Sequence, residues 1–81
     1  MDFQKAVAQN IKEIRERKRI TLDAAAKLTG VSRSMLAQIE KGDVNPTISV
    51  LWKIANGYKI SFTSLVDTHD AAHLLIKSSE V

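Results

Sequence analysis

A small all-α fold of five helices is what this sequence predicts, and three observations predict it. Apolar residues recur every three to four positions through most of the chain, and no segment alternates apolar and polar residues as a half-buried strand would. Most of these runs follow a hydroxyl residue suited to capping a helix, and glycines or an Asn-Pro pair fall between them. Length sets the scale, because eighty-one residues support one domain with one modest core.

Phe3, Val7, Ile11 and Ile14, with Ala6 beside them, form the stripe of a first helix that ends near Arg19. Thr21 is the N-cap of a second helix, Leu22 to about Thr29, with Asp23 favourably placed in its first turn. Gly30 stops it, since a glycine past a helix end adopts the left-handed conformation without the penalty other residues carry. Ser32 then caps a third helix, Arg33 to about Lys41, with Met35, Leu36 and Ile39 facing inward. Gly42 closes that helix, and Gly42 to Pro46 is a loop, Asn45 being biased away from helix by the proline after it. Thr47 caps a fourth helix carrying Ile48, Leu51, Trp52, Ala55 and Tyr58; Asn56-Gly57 looks like a stop, so it ends there or one turn later. Ser61 caps a short fifth helix with Phe62, Leu65 and Val66. Residues 1–66 form the domain, and 67–81 are a tail, a linker or a dimerisation segment. Ala71, Ala72, Leu74, Leu75 and Ile76 are apolar enough to pack on another subunit or to begin a further domain.

Twelve Lys and Arg against nine Asp and Glu give a net charge of +3, too slight to identify a partner. Its distribution says more, because Arg15, Arg17, Lys18 and Arg19 crowd together. That cluster is either a solvated helix end complementing the helix dipole or a set of phosphate contacts. The chain has no cysteine, which excludes disulfides and thiolate metal sites. No apolar run approaches the ~20 residues of a membrane span, and the first residues lack the apolar core of a signal peptide. A soluble protein of a reducing cell interior such as a cytoplasm is the expectation.

The informative segment is Leu22 to Lys41. Two helices that cross closely through a three- or four-residue turn need a small residue at the crossing, a glycine at the turn and apolar plugs between them. Ala26, Gly30, and Val31 with Leu36 and Ile39 meet those needs in order. The arrangement is that of a helix-turn-helix.

From Thr21 to Ser61 the chain resembles the phage-repressor and Cro-like helix-turn-helix family, often called the XRE family. Leu22 to Leu28, Gly30-Val31-Ser32-Arg33, Leu36, Gln38-Ile39-Glu40, Gly42, Asn45-Pro46-Thr47 and Leu51-Trp52-Lys53-Ile54-Ala55 carry the resemblance. With the first and fifth helices it covers about four fifths of the chain. It implies a compact lambda-repressor-like five-helix domain that binds double-stranded DNA, regulates transcription (often as a repressor) and works as a homodimer on a palindromic operator. The third helix would enter the major groove, with Arg33, Ser34, Ala37 and Gln38 meeting base edges. Arginine can hold guanine O6 and N7, glutamine adenine N6 and N7, and alanine a thymine methyl. Lys41, Gly42, Asn45 and Thr47 would follow the phosphate backbone, with Arg15, Arg17 and Lys18 as further phosphate contacts. Two departures stand out: Leu22 replaces a glutamine common in the family, and Ala25 replaces a bulkier leucine, for which Leu28 and Trp52 would compensate in packing.

Other readings of these residues compete. Glu40 is expected to tether groups near the following loop rather than act as an acid or base, and Trp52 and Tyr58 sit at core spacing. His69 and His73, with Asp70, could be imagined as metal ligands, but no third convincing ligand accompanies them. No nucleophile–base pair, phosphate-cradling glycine loop or cofactor box is present, so neither an enzyme nor a cofactor is expected. The rival function is a protein-interaction or antitoxin-like module, motivated by the apolar tail. A small-molecule effector enters only if a C-terminal sensing domain of the cupin type follows; a stand-alone regulator dimerising through its fifth helix is the other option.

Overall fold

The computed structural model describes residues 3–67, and all of the secondary structure there is helical. The elements are α1 (Phe3–Arg17), α2 (Leu22–Thr29), α3 (Arg33–Lys41), α4 (Ile48–Tyr58) and α5 (Phe62–Val66). The five-helix expectation therefore holds. All four expected N-caps do too: Thr21, Ser32, Thr47 and Ser61 accept the N–H groups of Ala24, Met35, Val50 and Ser64. Each satisfies one of the orphan donors that a helix start leaves, a contribution of about 0.5–2 kcal/mol apiece.

The helix ends divide into two kinds. Gly30 and Gly42 close α2 and α3 at φ 78° and 82°, as expected. Arg19 and Lys59 take the same left-handed conformation, both at φ 58°, without being glycine. The first helix consequently ends at Arg17, before the expected Arg19, and the N–H of Arg19 donates to the carbonyl of Glu16. The fourth helix runs through Asn56-Gly57 to Tyr58, the later of the two expected ends. Gly57 is thus a helical residue, and what demands a glycine there is a packing contact.

The core gathers Val7, Ile11 and Ile14 of α1, Ala25 of α2, Leu36 and Ile39 of α3, Leu51, Ile54, Ala55 and Tyr58 of α4, and Leu65 of α5, with Val31 from the turn. Helical periodicity also nominated residues that lie outside it. Phe3, Met35, Ile48 and Trp52 are exposed, and so is Leu28, the residue expected to compensate for Ala25 in packing. The reason is geometric: each helix is too short to bury a wide stripe, and the residues at its margin stay in solvent. Trp52 instead stacks on Phe62 with ring centroids 4.5 Å apart. Two side chains of α1 tie distant segments to it, Gln4 donating to the carbonyl of Gly42 and Asn10 to those of Leu65 and Asp67.

Tyr58 is fully buried, as its spacing implied, and its hydroxyl has no hydrogen-bond partner among the described residues. Replacing it with phenylalanine removes an unsatisfied polar group and is expected to stabilise the domain by about 1 kcal/mol. Burial, aided by the Glu40 charge and opposed by Arg15, pushes the phenol from its ordinary value near 10 up to about 12. A group whose folded pKa lies above its unfolded value contributes stability that is complete below about pH 10 and is lost as pH rises through about 12. Urea unfolding at pH 8 and pH 11 should therefore show the advantage of Tyr58→Phe growing at the higher pH. A constant difference would contradict this account of the phenol.

Candidate nucleic-acid interface

The site begins at the turn between α2 and α3. Thr29, the one buried polar residue of this domain's described part, donates its hydroxyl to the carbonyl of Ala25 and accepts the N–H of Val31. That pair of bonds bridges the turn. Gly30 reverses the chain, and its N–H caps the carbonyl of Ala26. Val31 then seats between the helices, as do Leu36 and Ile39, both of which are fully buried. Ala25 of α2 is fully buried in the core, and the half-buried Ala26 packs against that core.

With Leu36 and Ile39 fixed inward, the helical period of about 3.6 residues puts Arg33, Ser34, Ala37, Gln38 and Lys41 together on the opposite face. Arg33, Ser34, Gln38 and Lys41 are exposed and Ala37 is half-exposed. All four residues expected at base edges thus share one surface with Lys41. Asn45 is exposed in the loop that follows, and Thr47 is exposed at the start of α4. Arg17 and Lys18 are exposed at the end of α1.

Two of the expected phosphate contacts are placed otherwise. Arg15 lies in a two-point ion pair with Glu40, Nε to Oε2 at 2.7 Å and Nη2 to Oε1 at 3.0 Å, while Nη1 donates to the carbonyl of Ile20 at 2.8 Å. The side chains of this pair are 15% and 7% exposed. Glu40 raises the Arg15 pKa above its already high value. With all three nitrogens engaged and the side chain 15% exposed, this guanidinium is directed into the fold and away from the α3 face. Gly42 is likewise spent: its N–H donates to the carbonyl of Ile39 and its own carbonyl accepts from Gln4. Its place in the loop is conformational. Glu40 is structural, as expected, but it tethers α3 back to α1 rather than to the following loop.

One feature of this exposed face of α3 is not marked in the sequence. The Nε of Arg33 lies 2.9 Å from Oδ1 of Asp23, across the turn on α2. Both side chains are well exposed, at 63% and 75%, and an exposed pair contributes only ~0–1 kcal/mol to folding. The sequence placed Asp23 only as a first-turn acid of α2, because the pairing depends on how the helices cross. His69, Asp70 and His73 lie outside the described residues.

Comparison with known proteins agrees with this geometry. A helix-turn-helix family model matches residues 11–65. The chain is 35% identical over 66 residues to the HTH-type transcriptional regulator SutR of Escherichia coli, covering 82% of this chain and 37% of that protein. It is 31% identical over 70 residues to the HTH-type transcriptional regulator y4dJ of Sinorhizobium fredii, covering 86% and 91% respectively. Among solved structures, a helix-turn-helix family transcriptional regulator from Vibrio cholerae superposes with a TM-score of 0.76 at 48% identity, over 78% of this chain and 35% of that one. The chain thus spans little more than a third of SutR and of the Vibrio protein, and nearly the whole of y4dJ. With the family model matched from α1 to α5, the chain belongs to the helix-turn-helix family of DNA-binding transcriptional regulators.

Proposed function

We propose that the domain binds duplex DNA sequence-specifically by laying α3 in the major groove, and that it regulates transcription in the cytoplasm as a homodimer on a palindromic operator. The observation that carries the reading is the division of α3 into two faces. Leu36 and Ile39 lock one face into the core, and Arg33, Ser34, Ala37 and Gln38 stand together on the other. In this reading Arg33 and Gln38 make bidentate contacts to guanine and adenine, Ser34 reaches a neighbouring base and Ala37 touches a thymine methyl. Arg17, Lys18, Lys41, Asn45 and Thr47 contact phosphate, Thr47 at a helix start whose dipole favours an anion. Two copies are needed because one short helix reads few base pairs, and half-sites would lie about 34–36 Å apart, one turn of DNA, or a multiple of it.

Selection from a randomised duplex pool, followed by sequencing, tests this. An inverted repeat is the expected product, and recovery of no preferred sequence from folded protein at low salt would overturn the proposal. On the selected site Arg33→Ala and Gln38→Ala should each cost about 1–3 kcal/mol and relax preference at one position. Lys41→Ala should weaken binding to all sequences alike and reduce the salt slope by about 1. Equal losses from all three on every sequence would remove Arg33 and Gln38 as base readers.

A further inference from the structure

We propose that Asp23 is a specificity-determining residue, holding the Arg33 guanidinium for a base edge and withholding it from phosphate. The proposal rests on the reading of Arg33 as a base contact. Asp23 is an acid on a face otherwise presenting Arg33 and Lys41, and a carboxylate so placed repels every phosphate that approaches. Folding accounts for it only in part: a first-turn acid complements the α2 dipole, but the pair is exposed and α2 already has its cap in Thr21. What Asp23 does engage is Arg33, Nε to Oδ1 at 2.9 Å, from the neighbouring helix across the turn.

That contact takes up one nitrogen of the guanidinium and leaves the terminal pair, Nη1 and Nη2, without a partner among the described residues. Those two nitrogens present the end-on fork that matches guanine O6 and N7. A free arginine at the edge of a groove has a competing target in the phosphates, which carry no sequence information. Asp23 acts against that competitor twice. Its ion pair at Nε biases the direction of the long side chain, and its charge offsets the attraction that Arg33 would otherwise contribute to any duplex. The result is weaker non-specific binding and sharper selection of one base.

Asp23→Asn tests this, because it removes the charge and keeps the shape at an exposed position. Binding would be measured by fluorescence anisotropy over a range of salt. Three duplexes are required: the one recovered by selection, the same with its Arg33-dependent base pair exchanged, and one of unrelated sequence. Asp23→Asn is expected to tighten binding to the unrelated duplex, steepen its log–log salt slope by about 0.9, and lower discrimination at the Arg33-dependent position about fivefold or more. Discrimination at the Gln38-dependent position should not change. In an Arg33→Ala background the same substitution should no longer alter discrimination, although it still tightens binding generally. Undiminished discrimination in Asp23→Asn, or an equal loss at every position, would overturn the role of Asp23. A uniform loss from Arg33→Ala alone would instead overturn the assignment of Arg33, and the proposal with it. Far-UV circular dichroism and thermal melting of each variant separate these outcomes from unfolding.

Discussion

Replacing Glu40 with alanine is expected to destabilise the domain by about 3–5 kcal/mol. Its partner Arg15 is mostly enclosed, and without the carboxylate it keeps only the carbonyl of Ile20 to satisfy its charge. Attraction between the two ions is not the source of so large a figure, because desolvation offsets much of it. The cost arises from leaving one buried charge uncompensated. A domain of this length has roughly 5–10 kcal/mol of total stability, so the variant would lie close to unfolding. The double replacement Arg15→Met/Glu40→Leu should recover most of the loss, since it removes both charges and fills similar volume. Urea denaturation of the single and double variants measures both effects. A loss under about 1 kcal/mol in the single variant would place the pair among exposed ion pairs. The pair also orients α3, as Glu40 near its end is joined to α1, and Arg15 is joined in turn to the α1–α2 connection. At temperatures where the folded state persists, the Glu40→Ala domain should bind all duplexes more weakly, with base preferences little altered.

Much of this architecture was legible because it depends on neighbours in the chain. A cap needs a hydroxyl and an amide three residues on, so Thr21, Ser32, Thr47 and Ser61 could be read directly. Gly30 and Gly42 announce their conformations by having no side chain. The exposed face of α3 followed as soon as Leu36 and Ile39 were assigned inward. What escaped depends on residues far apart in sequence. Arg15 and Glu40 are 25 positions apart, and nothing in the basic cluster near the end of α1 marks Arg15 as the member that turns inward. Asp23 and Arg33 meet only because α2 and α3 cross as they do. Marginal apolar residues failed for a related reason, as period alone cannot say how wide a stripe a short helix buries. Trp52 therefore stands half in solvent against Phe62, and Leu28 is half exposed while Ala25 is fully buried.

Gly57→Ala tests the other constraint hidden from local reading, and its sign is opposite to what local reasoning gives. Gly57 lies inside α4, where helix propensity alone would favour alanine by about 1 kcal/mol. A Cβ there would stand 2.6 Å from the carbonyl oxygen of Leu28 and from Cα of Thr29, and 2.7 Å from Cγ2 of Thr29. Two of those three atoms are backbone, so no rotamer change relieves the overlap and α2 must move off α4. Forcing a methyl into such a contact costs typically 1–3 kcal/mol and occasionally more. The close approach places this site at the upper end, and a net destabilisation of about 2 kcal/mol is expected after the propensity gain. Gly30→Ala makes the comparison informative. Its Cβ would meet nothing within 4 Å, and its cost is the left-handed backbone alone, about 1–2 kcal/mol. The two variants should therefore differ in kind. Gly30→Ala strains one residue, whereas Gly57→Ala displaces the end of α2 that carries Thr29 and leads into the turn before α3. Its folded fraction should lose affinity for selected and unrelated duplexes together. A Gly57→Ala domain more stable than the parent would show that α2 and α4 can separate without cost. In that case α3 would be positioned by the Arg15–Glu40 pair and the Thr29 turn without help from this contact.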